Sequence, residues 1–132
     1  MARKRRALSE DEAFELTLRK FHPEWRRDLD NGTLPEEIIG ADGEPMSPML
    51  HLTIHAIVER QLSLDEPKGV VAIAEELSRL GVSRHDIRHE IGRAVANQIW
   101  YLQKERCVFD EVRYRADLEA IVASHRRGTS VF

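Results

Sequence analysis

Three helix-start signals, spread along the chain, constrain its fold more than any other feature of the sequence. Ser9-Glu10-Asp11-Glu12 has the pattern of a capping box, in which a serine hydroxyl and a glutamate carboxylate satisfy backbone N–H groups. Ser47-Pro48 and Ser83 also precede helical patterns of apolar residues, and proline suits the first helical position. These signals predict an all-α fold, a single small bundle of five or six helices.

The length of 132 residues is typical of one domain. We expect a flexible basic arm over 1–8, a single helical domain over 9–125 and a loose tail over 126–132. Leu34 to Ile39 is expected to form a further helical turn, and Lys68 to Leu80 an amphipathic helix. The last helix is expected to end near Ser124. No strand pair is expected.

Composition narrows the classes of partner. The net charge is −3, and the positive charge is concentrated at residues 3–6, so the rest of the chain is more acidic and nucleic-acid binding is disfavoured. Cys107 is the only cysteine, which excludes an intramolecular disulfide and fits a reducing cytoplasm. No apolar run reaches the roughly 20 residues of a membrane span. We therefore expect a soluble cytoplasmic protein that is able to form homo-oligomers.

Two histidine pairs are the main candidates for a functional site. His51 and His55 are four residues apart, as are His85 and His89, so a helix places each pair on one face. Gly92 follows the second pair at about 340° when His85 is set to zero, on the same side of the helix. Glycine costs roughly 1 kcal/mol inside a helix relative to alanine, and close approach of another helix would offset that cost. The two pairs are thus predicted to meet at a helix–helix seam.

Four imidazoles at such a seam have the donor chemistry of a divalent-metal site, for zinc, iron or nickel. Glu59 lies one turn beyond His55 and is a candidate fifth ligand. An open coordination position would permit metal-assisted hydrolysis, although the sequence leans toward a protein without enzymatic activity. The alternative is a protein-interaction module in which the histidines are structural. His22 and His125 are isolated in the sequence and are interpreted as incidental.

The stretch from Ser47 to His55 with Glu59 and Gln61, followed by the stretch from Gly81 to Gly92, resembles a known family. It is a family of small bacterial proteins classed as a domain of unknown function. Its pattern is a His-x-x-x-His-x-x-x-Glu-x-Gln helix followed by an Arg-His-x-x-x-His-x-Ile-Gly helix. The resemblance covers about residues 47–100. It implies that the four histidines, Glu59 and Gln61 act as one unit, and it implies no particular reaction.

Overall fold

The computed structural model describes residues 7–106 and 108–131. Residues 1–6 of the basic arm predicted over 1–8, and Cys107, lie outside the described residues. Over the described ranges the chain forms six α-helices, one 3-10 turn and one short hairpin. In chain order these are α1 (Glu10–Lys20), the 3-10 turn (Pro23–Trp25), α2 (Arg26–Asn31), β1 (Ile38–Ile39), β2 (Pro45–Met46), α3 (Pro48–Leu64), α4 (Val70–Arg79), α5 (Arg84–Lys104) and α6 (Glu111–Val131). The all-α bundle predicted from the sequence is confirmed.

The helices start at the predicted caps. The Ser9 hydroxyl accepts a hydrogen bond from the Glu12 backbone N–H at 3.1 Å, and the Glu12 carboxylate accepts from the Ser9 N–H at 3.2 Å. The Ser47 hydroxyl caps α3 and the Ser83 hydroxyl caps α5, each accepting a hydrogen bond from a backbone N–H at 3.1–3.2 Å. Because a cap satisfies donors that no helical carbonyl can reach, these serines fix where each helix begins.

The hydrophobic core lies mainly between α3, α4, α5 and α6. Its fully buried side chains include Val58, Leu77, Ile91 and Tyr114. The Tyr114 hydroxyl donates to Gln61 Oε1 at 2.6 Å, which ties α6 to α3. Burial raises the pKa of Tyr114 to about 12, so the hydroxyl keeps its proton and remains a donor.

Two close helix contacts bring the N-terminal half of the chain together. Helix α1 packs on α3, and the buried residues of α1 include the small Ala13 and Thr17. Helices α3 and α5 also pack against each other, and a Cβ placed on Gly92 would lie 3.1 Å from Ile54 Cγ2. The close approach predicted at Gly92 is therefore present, and α3 lies between α1 and α5.

The structure corrects three sequence-based expectations about local structure. Residues Ile38–Ile39 form a strand that pairs antiparallel with Pro45–Met46, where a helical turn and no strand pair were expected. The β-branched isoleucines and the turn residues that follow favour a hairpin, in which Gly43 takes a φ of 81°. Helix α6 continues to Val131, although the sequence predicted an end near Ser124 and a loose tail. Finally, α4 begins at Val70, two residues later than expected.

Within residues 7–106 and 108–131, no helix has the length and apolar character needed to cross a membrane.

Candidate metal centre

The histidine pairs of α3 and α5 face each other across the helix–helix seam. The ring centroids of His55 and His89 are 5.0 Å apart, and those of His55 and His85 are 5.3 Å apart. His51 joins them, since its Nε2 lies 3.2 Å from His89 Nε2. The four sequence-predicted histidines are thus gathered at one place. The close contact at Gly92 permits this, because a larger side chain there would hold the two helices apart.

A fifth imidazole comes from a residue interpreted as incidental on sequence grounds, and that interpretation is wrong. His22 follows the end of α1 and is 7% exposed. Its Nε2 lies 3.0 Å from His51 Nε2 and 3.2 Å from His55 Nε2. The packing of α1 on α3 places His22 at the seam between α3 and α5. His22 has no partner at helical spacing, and the only local signal was a His-x-Glu sequence beside Pro23 at a helix end.

The five imidazoles, His22, His51, His55, His85 and His89, are called the histidine cluster below. Four of them, His22, His55, His85 and His89, each place one ring nitrogen within 4.8 Å of the others. His51 is outside that group of four but contacts two of its members through Nε2. A metal with bonds of 2.0–2.1 Å places neighbouring ligand nitrogens about 2.9 Å apart in octahedral and about 3.4 Å apart in tetrahedral geometry. The three closest Nε2–Nε2 contacts given above, those of His22 with His51 and His55 and that of His51 with His89, are 3.0–3.2 Å and fall between these values.

The side chains around the cluster orient its rings. Glu24 Oε1 lies 2.8 Å from His22 Nδ1, so Nδ1 donates to the carboxylate and Nε2 is directed inward. The ring of Trp25 stacks on the other side of His22, with centroids 4.4 Å apart. Phe21 covers the far side, 5.6 Å from His55 and 5.2 Å from His85 between ring centroids. The inward nitrogens are therefore held in place by a carboxylate and by aromatic packing.

Hydrogen bonding among imidazoles does not account for the cluster. An imidazole nitrogen carries either one proton or one lone pair, so His22 Nε2 makes at most one hydrogen bond. It faces the Nε2 atoms of both His51, at 3.0 Å, and His55, at 3.2 Å. His85 Nε2 is buried and has no hydrogen-bond partner among the described residues. A bound cation would accept several of these lone pairs at once, so the donor set fits a metal ion.

Glu59 and Gln61, the other members of the predicted unit, make different contacts. Glu59 is 5% exposed, and its Oε1 accepts a hydrogen bond from Arg88 Nε at 2.7 Å. It does not belong to the group of four close ligands. Gln61 accepts the hydrogen bond from Tyr114. Both side chains thus link helices next to the cluster, Glu59 joining α3 to α5 and Gln61 joining α3 to α6.

Burial keeps the four imidazoles of α3 and α5 neutral. Burial, reinforced by the neighbouring histidines, lowers the pKa of His51 to about 4 and that of His55 to about 2. Burial is also the main cause that lowers the pKa of His85 and of His89. Although burial raises the pKa of Glu24, the hydrogen bond from His22 leaves it below its ordinary value. At neutral pH these four imidazoles therefore have the deprotonated nitrogens that metal binding requires.

A cleft of about 600 Å³ opens beside the histidine cluster. Four of the five imidazoles line it, namely His22, His51, His55 and His89. The β1–β2 hairpin forms one wall and α5 forms another. The cluster is thus reachable from outside on one side and covered by Phe21 and the helices on the other.

The fold and the site define a small all-α protein with a cluster of five histidines at the seam of its helices. The chain belongs to the family described as Domain of unknown function (DUF1841), whose model matches residues 1–120. The family resemblance recognised in the sequence is confirmed at the level of a domain of unknown function. The chain has no significant match among curated proteins or among solved structures.

Proposed function

We propose that this chain binds one divalent transition-metal ion in the histidine cluster. The observation that carries the proposal is the convergence of ring nitrogens from three separate elements on one point. His22, His55, His85 and His89 are the proposed principal ligands, and His51 is placed beside them as a further donor. Glu59, a ligand candidate from the sequence, is better placed to hold Arg88.

The donor chemistry supports zinc, iron or nickel. Neutral imidazole suits these metals, whereas magnesium and calcium take oxygen ligands. When bound, such an ion supplies positive charge and an electron-pair acceptor at the inner end of the cleft. The chain's own contribution is to keep the α3 and α5 imidazoles neutral, to orient His22 through Glu24 and to bury the far side of the cluster. We further propose a cytoplasmic bacterial protein whose metal donors, among the described residues, are imidazoles alone.

Elemental analysis of tag-free protein tests the proposal. We expect about one zinc, iron or nickel ion per chain, and its loss in a His55→Ala/His89→Ala double variant. His125→Ala is the matched control, because His125 lies outside the cluster and contacts Glu90 at 3.1 Å. The rival function, an interaction module with structural histidines, predicts no bound metal in any of the three proteins and lower stability in the double variant.

A thermal-shift titration separates binding from folding. A chelator removes the metal from the parent protein, and zinc is then added back. Zinc at a concentration of 100 times its Kd should stabilise the fold by about 2.7 kcal/mol. The His125→Ala variant should show the same shift. A parent that neither retains a metal on purification nor gains stability with zinc, iron or nickel would refute the proposed function.

A further inference from the structure

The cleft beside the histidine cluster has the size and shape of a small-molecule site. Its volume of about 600 Å³ lies within the range of roughly 300–1,000 Å³ typical of ligand pockets. The imidazoles occupy only one part of its lining. The rest of the lining identifies what kind of molecule fits there.

Most of the remaining wall is apolar. The hairpin contributes Ile38, Ile39 and Met46, and the helical side contributes Trp25, Ile54 and Ala96. Ile39 is 67% exposed, which leaves a large apolar side chain uncovered at the cleft. Apolar surface of this kind favours a ligand with an apolar body over a small hydrated ion.

The charged groups that line the cleft differ between its two walls. Arg88 and Arg93 stand on α5, and Asp42 and Glu44 stand on the hairpin loop. Arg88 is paired with Glu59 at 2.7 Å and Arg93 with Glu90 at 3.4 Å, so neither arginine brings uncompensated positive charge, while Asp42 and Glu44 leave negative charge at the hairpin wall. A divalent ion held by neutral imidazoles would add two positive charges at the inner end. The charge of that ion would therefore decide which head group is attracted.

Building on the proposed metal site, we infer that the cleft takes a small carboxylate with a compact apolar body. The carboxylate faces the imidazole-held ion, and the apolar body lies against the hairpin wall at Ile39. This orientation turns the negative end away from Asp42 and Glu44 and toward the ion, since neither of the two arginines that line the described part of the cleft offers uncompensated positive charge. It also buries apolar surface that the fold leaves open.

Calorimetric titration of the full chain tests the inference. Zinc-loaded protein, freed of excess zinc, is titrated with benzoate, acetate and benzyl alcohol, and the chelator-treated protein with benzoate. We expect benzoate to bind the loaded protein about tenfold more tightly than acetate, because its ring buries apolar surface. Benzyl alcohol should bind the loaded protein at least tenfold more weakly than benzoate does. Benzoate should likewise bind the zinc-free protein at least tenfold more weakly than the loaded protein. Equal affinities for benzoate and acetate, or for benzoate with and without zinc, would overturn the inference.

Matched variants locate the apolar wall. Ile39→Ser should weaken benzoate binding severalfold and leave acetate binding unchanged, whereas Val112→Ser, at a residue 81% exposed away from the cleft, should leave both unchanged. Benzoate binding that is equal in the two variants would contradict the assignment of the wall. Zinc content is measured first in every sample. Zinc uptake without benzoate binding overturns this inference alone, while failure to take up zinc overturns the proposed function with it.

Discussion

Acid should destabilise the metal-free protein well before its carboxylates titrate. His55 is 2% exposed, and its pKa and that of His51 lie near 2 and 4, against about 6.5 in an unfolded chain. The fold therefore holds both rings neutral, and their contribution to stability is complete above pH 6.5. Below pH 6.5 the unfolded chain binds a proton at each of these two rings, whereas the folded chain does not, so stability falls as the pH falls.

The magnitude follows from linkage. Below pH 6.5, each proton that only the unfolded chain binds lowers the free energy of unfolding by about 1.4 kcal/mol per pH unit. The two rings together therefore lower it by about 4 kcal/mol between pH 7.5 and pH 5. His85 and His89 act in the same direction, since burial lowers their pKa too. Carboxylates contribute little in this window, because their ordinary pKa values are near 4. A loss of about 4 kcal/mol is a large part of the 5–15 kcal/mol that stabilises a typical domain.

Denaturant unfolding of chelator-treated protein, followed by far-UV circular dichroism at several pH values from 7.5 to 5, measures this loss. His51→Gln should reduce the loss of stability between pH 7.5 and pH 5 by about 2 kcal/mol, the share of one of the two rings counted above. His125→Gln should leave it unchanged, because His125 is outside the cluster. A free energy of unfolding that is the same at pH 7.5 and pH 5 would refute the reasoning, as it would mean that the rings titrate normally in the fold.

Two further substitutions test the support of the cluster. Glu24→Ala removes the acceptor that orients His22, and zinc affinity in a competition titration should fall about 10–100-fold; an unchanged affinity would show that the hydrogen bond does not position the ring. Gly92→Val should lower the free energy of unfolding by about 1–3 kcal/mol, because its Cβ would meet Ile54 at 3.1 Å. Gly128→Val, where a Cβ has nothing within 4 Å, should cost less than 1 kcal/mol, and equal losses in the two variants would contradict the close-contact argument.

Local signals explain why much of the fold was predictable from the sequence. Ser9, Ser47 and Ser83 each cap the helix that the sequence assigned to them, because capping depends on residues within one turn. The helical spacing of the α3 and α5 histidines placed each pair on one face. Gly92 identified the close seam, because a helical glycine usually needs a packing reason.

Features that depend on distant contacts were missed. His22 enters the cluster only because α1 packs on α3, and no spacing within its own segment indicates this. The hairpin strands are two residues each, too short to show an alternating pattern. Helix α6 extends past Ser124, and there Arg126 pairs with Glu76 of α4, fifty residues earlier. Each miss is a case in which tertiary contact decided the local structure.

The arrangement of carboxylates near the cluster bears directly on what the site can hold. Both candidate oxygen donors are occupied by other partners, Glu24 by His22 and Glu59 by Arg88. An ion at the centre of the cluster would therefore meet ring nitrogens, and among the described residues no free carboxylate would offset its double charge by coordinating it. Within that part of the chain magnesium and calcium would lack the oxygen ligands they take, while zinc, iron and nickel would find donors they favour. The same uncompensated charge is what would draw a carboxylate into the cleft, so metal choice and ligand choice both follow from imidazole-only ligation.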